Sequence, residues 1–329
     1  MRSLSPEFLT NLKFSGAQLE TLNRIGAHQG KQSLYGEQLP EVLKTMRSIA
    51  QIESVESSNR IEGIEAPRKR VQGIVLETTS PGNRSEQEIA GYRDALKLIH
   101  ESAAEMELSA NLVKQFHSVM YRYLPQPGGA WKPVDNEIVE RGPGGALRVR
   151  FKPLPAVGVP QAMDDLAQDY ARALAKELQP GLVLAPLAVF DFLCIHPFAD
   201  GNGRISRLLT LLLLYRLGHQ VGRFISLERI TEESKETYYE ALGASSRGWH
   251  ESRHDPHPWL NYFWGVLLRA YSEFSDRVGG LNQGAGSKAA TVRVAVGRML
   301  GAFALSDIQA ECPGVSLATI KRELSAMRD

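Results

Sequence analysis

The chain has 329 residues, 43% hydrophobic and 23% charged, an ordinary balance for a globular protein with a sizeable core and more than one domain. A formal net charge of +1 argues against a strongly basic nucleic-acid binder, and two cysteines, Cys194 and Cys312, exclude a disulfide framework. The longest apolar stretch, residues 208–215, is too short to span a bilayer, and the opening MRSLSPEFLTNLKF lacks a signal-peptide core, so a cytoplasmic protein with no membrane partner is expected.

Helical periodicity dominates and predicts an all-α fold class. Residues 1–84 read as an N-terminal helical region, in which a helix over about 43–61 ends in the segment SNRIEG, Ser58 to Gly63. Residues 78–84 (TTSPGNR) are a loop by composition. Ser85 and Glu88 make a capping-box pattern opening a helix to about 101, and Ser109 caps the next, to about 122. Residues 125–160 are rich in Gly and Pro. Two β-like runs there, 137–140 and 147–151, flank Gly142, Pro143, Gly144 and Gly145, which predicts a small β-hairpin with a flexible tip. A helix over about 159–178 follows.

Residues 186–195 and 205–217 are apolar, helix-like runs, the second stopping at Gly218, a plausible C-terminal cap. Between them lies HPFADGNGRISR, His196 to Arg207. Gly201, Asn202 and Gly203 fall at the start of the second helix, where unpaired N–H groups attract anions. Arg204 and Arg207, three apart, share a helix face and can fork onto phosphate oxygens. Asp200 is a hard oxygen ligand suited to Mg²⁺ held jointly with phosphates. His196 can accept a proton near neutral pH. Turn chemistry alone explains the glycines and Asn202, but neither the histidine ahead of them nor the arginines behind.

Further on, helices are expected over about 234–243, containing Tyr238 and Tyr239, and over 258–277, closing a core domain of 85–278. Residues 279–290 read as a linker. Residues 291–300, 306–311 and 316–327 read as three helices, with a turn at 313–315 that suggests helix-turn-helix.

The segment from His196 to Arg207 resembles the Fic-family signature HxFx(D/E)GNGRxxR at every specified position. The resemblance implies a helical core with a β-hairpin flap, and transfer of AMP from ATP to a protein hydroxyl. It implies His196 as general base, Phe198 packed beneath the loop, and Asp200 holding Mg²⁺. It implies the amides of Gly201, Asn202 and Gly203 cradling phosphates, Arg204 on the β-phosphate and Arg207 on the γ-phosphate. The segment SNRIEG resembles the family's inhibitory motif (S/T)xxxE(G/N). Ser58, Glu62 and Gly63 would then form an autoinhibitory element whose carboxylate pairs with Arg207. By the same resemblance one of Tyr238 and Tyr239 lines the adenine pocket. Ser246 stands where many relatives carry Asn. Ile138 and Val139 of the flap lie along the nucleotide, and a target protein docks on the flap edge, with self-modification expected. Some relatives transfer UMP, phosphocholine or phosphate; the phosphate-transferring branch carries Lys at the position of Gly203, so Gly203 with Arg207 favours AMP transfer. The C-terminal helices resemble a winged-helix module.

Two other classes stay open. A DNA-binding regulator with a Fic sensor core would use the C-terminal helices, although Lys321 and Arg322 are offset by Glu323. A zinc metallopeptidase would use His250 and His254 of HESRH, a pattern that Gly248 and Pro256 make hostile to a helix. A homo-oligomer is compatible with the sequence.

Overall fold

The structure is a computed structural model and describes residues 2–38, 40–141, 147–282, 292, 295–296, 303–312 and 315–327. The protein is all-α, with one antiparallel hairpin among the described residues. The helices are α1 (Pro6–Asn11), α2 (Gly16–Gln38), α3 (Pro40–Ile61), α4 (Arg68–Val75), α5 (Arg84–Ser102) and α6 (Ala110–Met120), followed by strands β1 (Ile138–Arg141) and β2 (Leu147–Phe151). After the hairpin come α7 (Val159–Ala175), α8 (Gly181–Ile195), α9 (Asn202–Arg216), α10 (Leu227–Glu233), α11 (Lys235–Ser246) and α12 (His257–Asn282). The chain continues with α13 (Leu305–Glu311) and α14 (Leu317–Ala326).

The centre is α8, in which every residue from Val183 to Ile195 is buried. A helix apolar on all sides belongs inside a core. It begins five residues before the predicted start at Pro186. A proline inside a helix removes a hydrogen bond and orphans the carbonyl four residues back. Here the Leu182 carbonyl accepts instead from the Trp264 indole N–H at 2.7 Å, which lets the helix run through.

The cap of α5 also differs from expectation. Asn83, not Ser85, is the N-cap, its side chain accepting from the Glu86 N–H at 3.0 Å. Ser85 already lies within the first turn, and Glu88 is free to turn inward toward α9. Ser109 does cap α6, accepting from Leu112 N–H. Helix α12 continues to Asn282, through the first residues of the predicted linker; 283–290 lie outside the described residues, as does the hairpin tip at 142–145. Of the predicted helix 291–300 only 292, 295 and 296 are described, all helical, and the turn residues 313–314 are outside them.

One apolar cluster runs from Leu4 to Val278, so α1–α4 pack into the same core as α5–α12. Val292, Ala295, Ile308, Cys312 and Ile320 form a second, separate cluster. Helices α5 and α6 approach closely at Gly91, where an added Cβ would stand 1.9 Å from the Met120 carbonyl oxygen. A backbone atom cannot yield cheaply, so Gly91→Ala forces the helices apart. We expect a loss of about 2–3 kcal/mol, read as a lower urea midpoint at unchanged slope; a midpoint equal to wild type would contradict the packing.

Candidate active site

Helix α8 delivers His196. The residue ends the helix in a left-handed conformation, φ 51°, which turns the chain sharply toward α9. This conformation is costly for a residue with a Cβ and persists only where neighbours enforce it. The ring Nδ1 lies 3.3 Å from the Leu193 carbonyl and can only donate to it, which leaves Nε2 as the basic nitrogen. Burial is the main influence on the ring and lowers its pKa to about 4; Lys132 and Arg150 lower it further, while the Leu193 carbonyl and Glu62 oppose. His196 is therefore neutral across the physiological range, with Nε2 unprotonated.

The loop behind it closes on itself. Asn202 accepts from Phe198 N–H at 2.9 Å and donates to Phe198 O at 2.8 Å, so its amide locks the turn. Gly201 begins α9 at φ 81°, where a side chain would be strained. Phe198 is fully buried and stacks on His117 at 3.8 Å, with Trp131 alongside at 5.0 Å. His117 Nδ1 accepts from Gly129 N–H at 2.8 Å, so its Nε2–H donates to the Asp200 carbonyl at 3.2 Å. His117 and Tyr121 had no signal in the sequence: their partner Asp200 is about eighty residues away and contributes its backbone as well as its side chain.

Helix α3 supplies the opposing charge. It ends at Ile61, whose carbonyl accepts from Lys235 Nζ at 2.8 Å, and Gly63 at φ 77° reverses the chain. Glu62 is thereby held over the first turn of α9. Its Oε1 accepts from Arg207 Nη2 at 2.7 Å, and a Cβ placed on Gly203 would meet the same oxygen at 2.2 Å. A carboxylate thus occupies the anion-attracting start of the helix. Arg207 also donates from Nε to Ser58 Oγ at 2.8 Å and from Nη2 to the Ser58 carbonyl at 2.9 Å. Burial works against its charge, and Glu62 with Tyr238 and Tyr92 outweighs burial, raising its pKa further.

These groups face a cavity of about 250 Å³. Of the expected residues, His196, Gly203, Arg207, Glu62, Ile138, Tyr238 and Tyr239 line it, as does Ser246. Both tyrosines reach it, where only one was expected, because they meet edge to face at 5.1 Å around one corner. Val139 does not: neighbours on a strand face opposite ways, and it is turned outward. Asp200, Gly201, Asn202 and Arg204 are not among its lining residues: the Asp200 side chain is open to solvent, and Asn202 and Arg204 are buried. Arg204 is 1% exposed and donates to Glu88 at 2.7 Å, a buried pair that sequence distance concealed. Arg150 of β2 was also missed; it lines the cavity and stacks over Tyr239 at 5.0 Å.

Asp200 carries a largely exposed carboxylate that accepts from the Tyr121 hydroxyl at 3.1 Å and the Gly201 N–H at 2.6 Å. A single hard oxygen donor fits Mg²⁺, which binds through one or two carboxylates plus substrate phosphates. No group of three or more metal-ligating side chains occurs among the described residues. The HESRH segment is a series of turns. His250 bonds to the Lys152 carbonyl, whereas His254 is buried against Ser3 Oγ at 2.9 Å, so the two do not share a metal. No helix among the described residues is long and apolar enough to cross a membrane.

Burial lowers the pKa of His117, His196, His219 and His254 to about 4 and of His100 to about 3. Each binds its proton more readily in the unfolded chain. Stability is full above the unfolded value, about 6.5, and falls as pH drops toward 4. Asp191, raised to about 6 mainly by burial, acts oppositely between pH 6 and its unfolded value, and Glu228, also raised by burial, acts in the same sense. Five groups outweigh two, at about 1.4 kcal/mol per pH unit for each fully titrating group. Urea unfolding at pH 7.5 and pH 5 should therefore show a lower midpoint in acid; equal midpoints would refute the burial of these rings.

Residues 107–214 match the sequence profile of the Fic/DOC family. A protein adenylyltransferase Fic of Nematostella vectensis is 24% identical over 213 residues, 60% of this chain and 44% of its own length. Another of that name, from Drosophila willistoni, is 25% identical over 258 residues, 74% of this chain and 47% of its own. The chain thus spans about half the length of these curated relatives. Among solved structures, a Fic family protein from Desulfovibrio desulfuricans G20 shares the fold with TM-score 0.64 at 23% identity, covering 97% of this chain and 91% of its own. A Fic domain containing signaling protein from Bacteroides thetaiotaomicron gives TM-score 0.65 at 21% identity, over 78% of this chain and 97% of its own.

Proposed function

From the premise that the chain is a Fic-family protein, with the family's domain at residues 107–214, we propose that it is an autoinhibited protein adenylyltransferase. It transfers AMP from ATP to a Ser, Thr or Tyr hydroxyl of a target protein or of itself. The observation that carries this reading is the Glu62 carboxylate bound to Arg207 over Gly203, in the same cavity as His196.

With Glu62 withdrawn, Arg207 and the first amides of α9 are free to hold the triphosphate tail. The base lies among Leu242, Ser246, Tyr238 and Tyr239, and Ile138 closes over the nucleotide from the flap. Asp200 would hold Mg²⁺ jointly with the phosphates, and the ion would supply neutralisation of the charge on the leaving group. The target segment adds to an open edge of the hairpin through backbone hydrogen bonds, beside the exposed Val139 and Val149. Its hydroxyl gives its proton to His196 Nε2 as the oxygen attacks the α-phosphorus. The bond to the β-phosphate breaks and pyrophosphate leaves.

Intact-mass measurement of the Glu62→Gly chain, incubated with Mg²⁺ and each nucleoside triphosphate in turn, tests this. We expect one AMP added per modified hydroxyl, with ATP preferred. A transferred phosphate or UMP would replace the donor assignment, and no adduct on the chain or on any protein of a cell extract would refute the reading.

A further inference from the structure

Lys132 is 4% exposed, yet its ammonium rests on neutral oxygens, with no carboxylate within salt-bridge distance among the described residues. Its ammonium donates to Asn136 Oδ1 at 2.8 Å and to the Ile195 carbonyl at 3.3 Å. Its backbone N–H donates to the Pro197 carbonyl at 2.8 Å. Asn136 reaches on to the Phe198 carbonyl, 3.4 Å from Nδ2. One short segment ahead of β1 therefore grips the carbonyls of 195, 197 and 198, on both sides of His196.

A buried ammonium with no carboxylate in direct contact is expensive to keep. Burial draws its pKa down to about 8, and Asp135 recovers part of this. The last carbonyls of α8 give further compensation, since a helix C-terminus carries partial negative charge. What the arrangement gains is control of the strained turn at His196. Left alone, a left-handed residue with a Cβ would relax and swing its ring.

We propose that Lys132 and Asn136 are positioning residues for the proton-accepting histidine. They hold the turn so that Nδ1–H stays on Leu193 and Nε2 faces the cavity, and the ammonium beside the turn adds to burial in disfavouring a positive charge on the ring. The inference rests on the reading of His196 as the base. The other charges acting on this ring are Glu62 from the end of α3, which opposes Lys132, and Arg150 from β2, which reinforces it; Arg207 from α9 is bonded to Glu62. In a chain lacking Glu62 only the bond to the Leu193 carbonyl still opposes the two cations.

The experiment uses the full chain in the Glu62→Gly background, with ¹⁵N-labelled histidine. We compare Lys132→Met, Lys132→Arg and Asn136→Ala, with melting temperature as the check on folding. Lys132→Met should raise the His196 titration by about one pH unit. It should also cut the labelling rate about 10–100-fold at unchanged ATP affinity. Lys132→Arg, which keeps the charge, should restore the titration and most of the rate. Asn136→Ala should lower the rate with little change in titration, and carries the test if Lys132→Met does not fold. A folded Lys132→Met chain with an unmoved His196 titration, or an Asn136→Ala chain with undiminished rate, overturns the proposal. If no variant or parent labels anything, the adenylyltransferase reading has failed, while the titration still judges the clamp.

Discussion

Replacing Glu62 by glycine should raise self-labelling by ATP about 30–150-fold. The estimate follows from populations. Arg207 cannot hold a phosphate while Glu62 holds Arg207, and a charge-assisted bond between a buried guanidinium and a partly exposed carboxylate is worth roughly 2–3 kcal/mol. A preference of that size leaves a small percentage of chains open, and removing it makes all of them competent. The same change removes the partner of a buried cation. Arg207 keeps its two bonds to Ser58, so the loss of folding stability should be limited to about 1–2 kcal/mol. Nucleotide with Mg²⁺ should restore this stability in the variant by mass action and do so weakly in wild type. Labelling rate and thermal shift are measured on the same two proteins. Equal rates would mean that the carboxylate is a bystander.

His196→Ala in that background should lower the rate by at least about 10²–10⁴-fold, the usual worth of a positioned general base. Affinity for ATP should hardly change, because the imidazole touches the acceptor's proton and not the triphosphate. The pH dependence separates this role from a structural one. With Glu62 present the ring titrates at about 4, and removing Glu62 takes away a contribution that raises this value, so the rate should hold as pH falls through 6.5 and decline only at about 4 or below. A decline centred on 6.5 would show a solvent-exposed histidine, and a variant that keeps its rate would remove His196 from the chemistry.

Much of this site was legible in twelve consecutive residues because a loop between two apolar helices is a local object. Spacing puts His196, Asp200, Arg204 and Arg207 near one another whatever the rest of the chain does. The partner of Arg207 was also legible, through the segment that carries Ser58 and Glu62. The residues that hold the local object in place were not. Glu88 under Arg204 and His117 under Phe198 come from other helices, where single polar residues look like ordinary surface positions, and Lys132 beside Ile195 comes from the irregular segment ahead of β1. Helix ends misled for a related reason. Asn83 and Ser85 are both good caps by type, and the choice fell to the one that leaves Glu88 facing the core. Pro186 reads as a helix start until an indole from α12 takes over the carbonyl it abandons.

The backbone beneath Glu62 is pinned, with Lys235 on the Ile61 carbonyl and Gly63 turning the chain, whereas its carboxylate is about one-third exposed. On this reading, release needs no hinge and no melting of α3, only a swing about side-chain torsions, which takes nanoseconds. Such a stop behaves as a rheostat and not as a latch. It keeps no memory of past states, and its setting at any moment follows how much competing anion is present, so basal output should climb smoothly with the cell's supply of triphosphate.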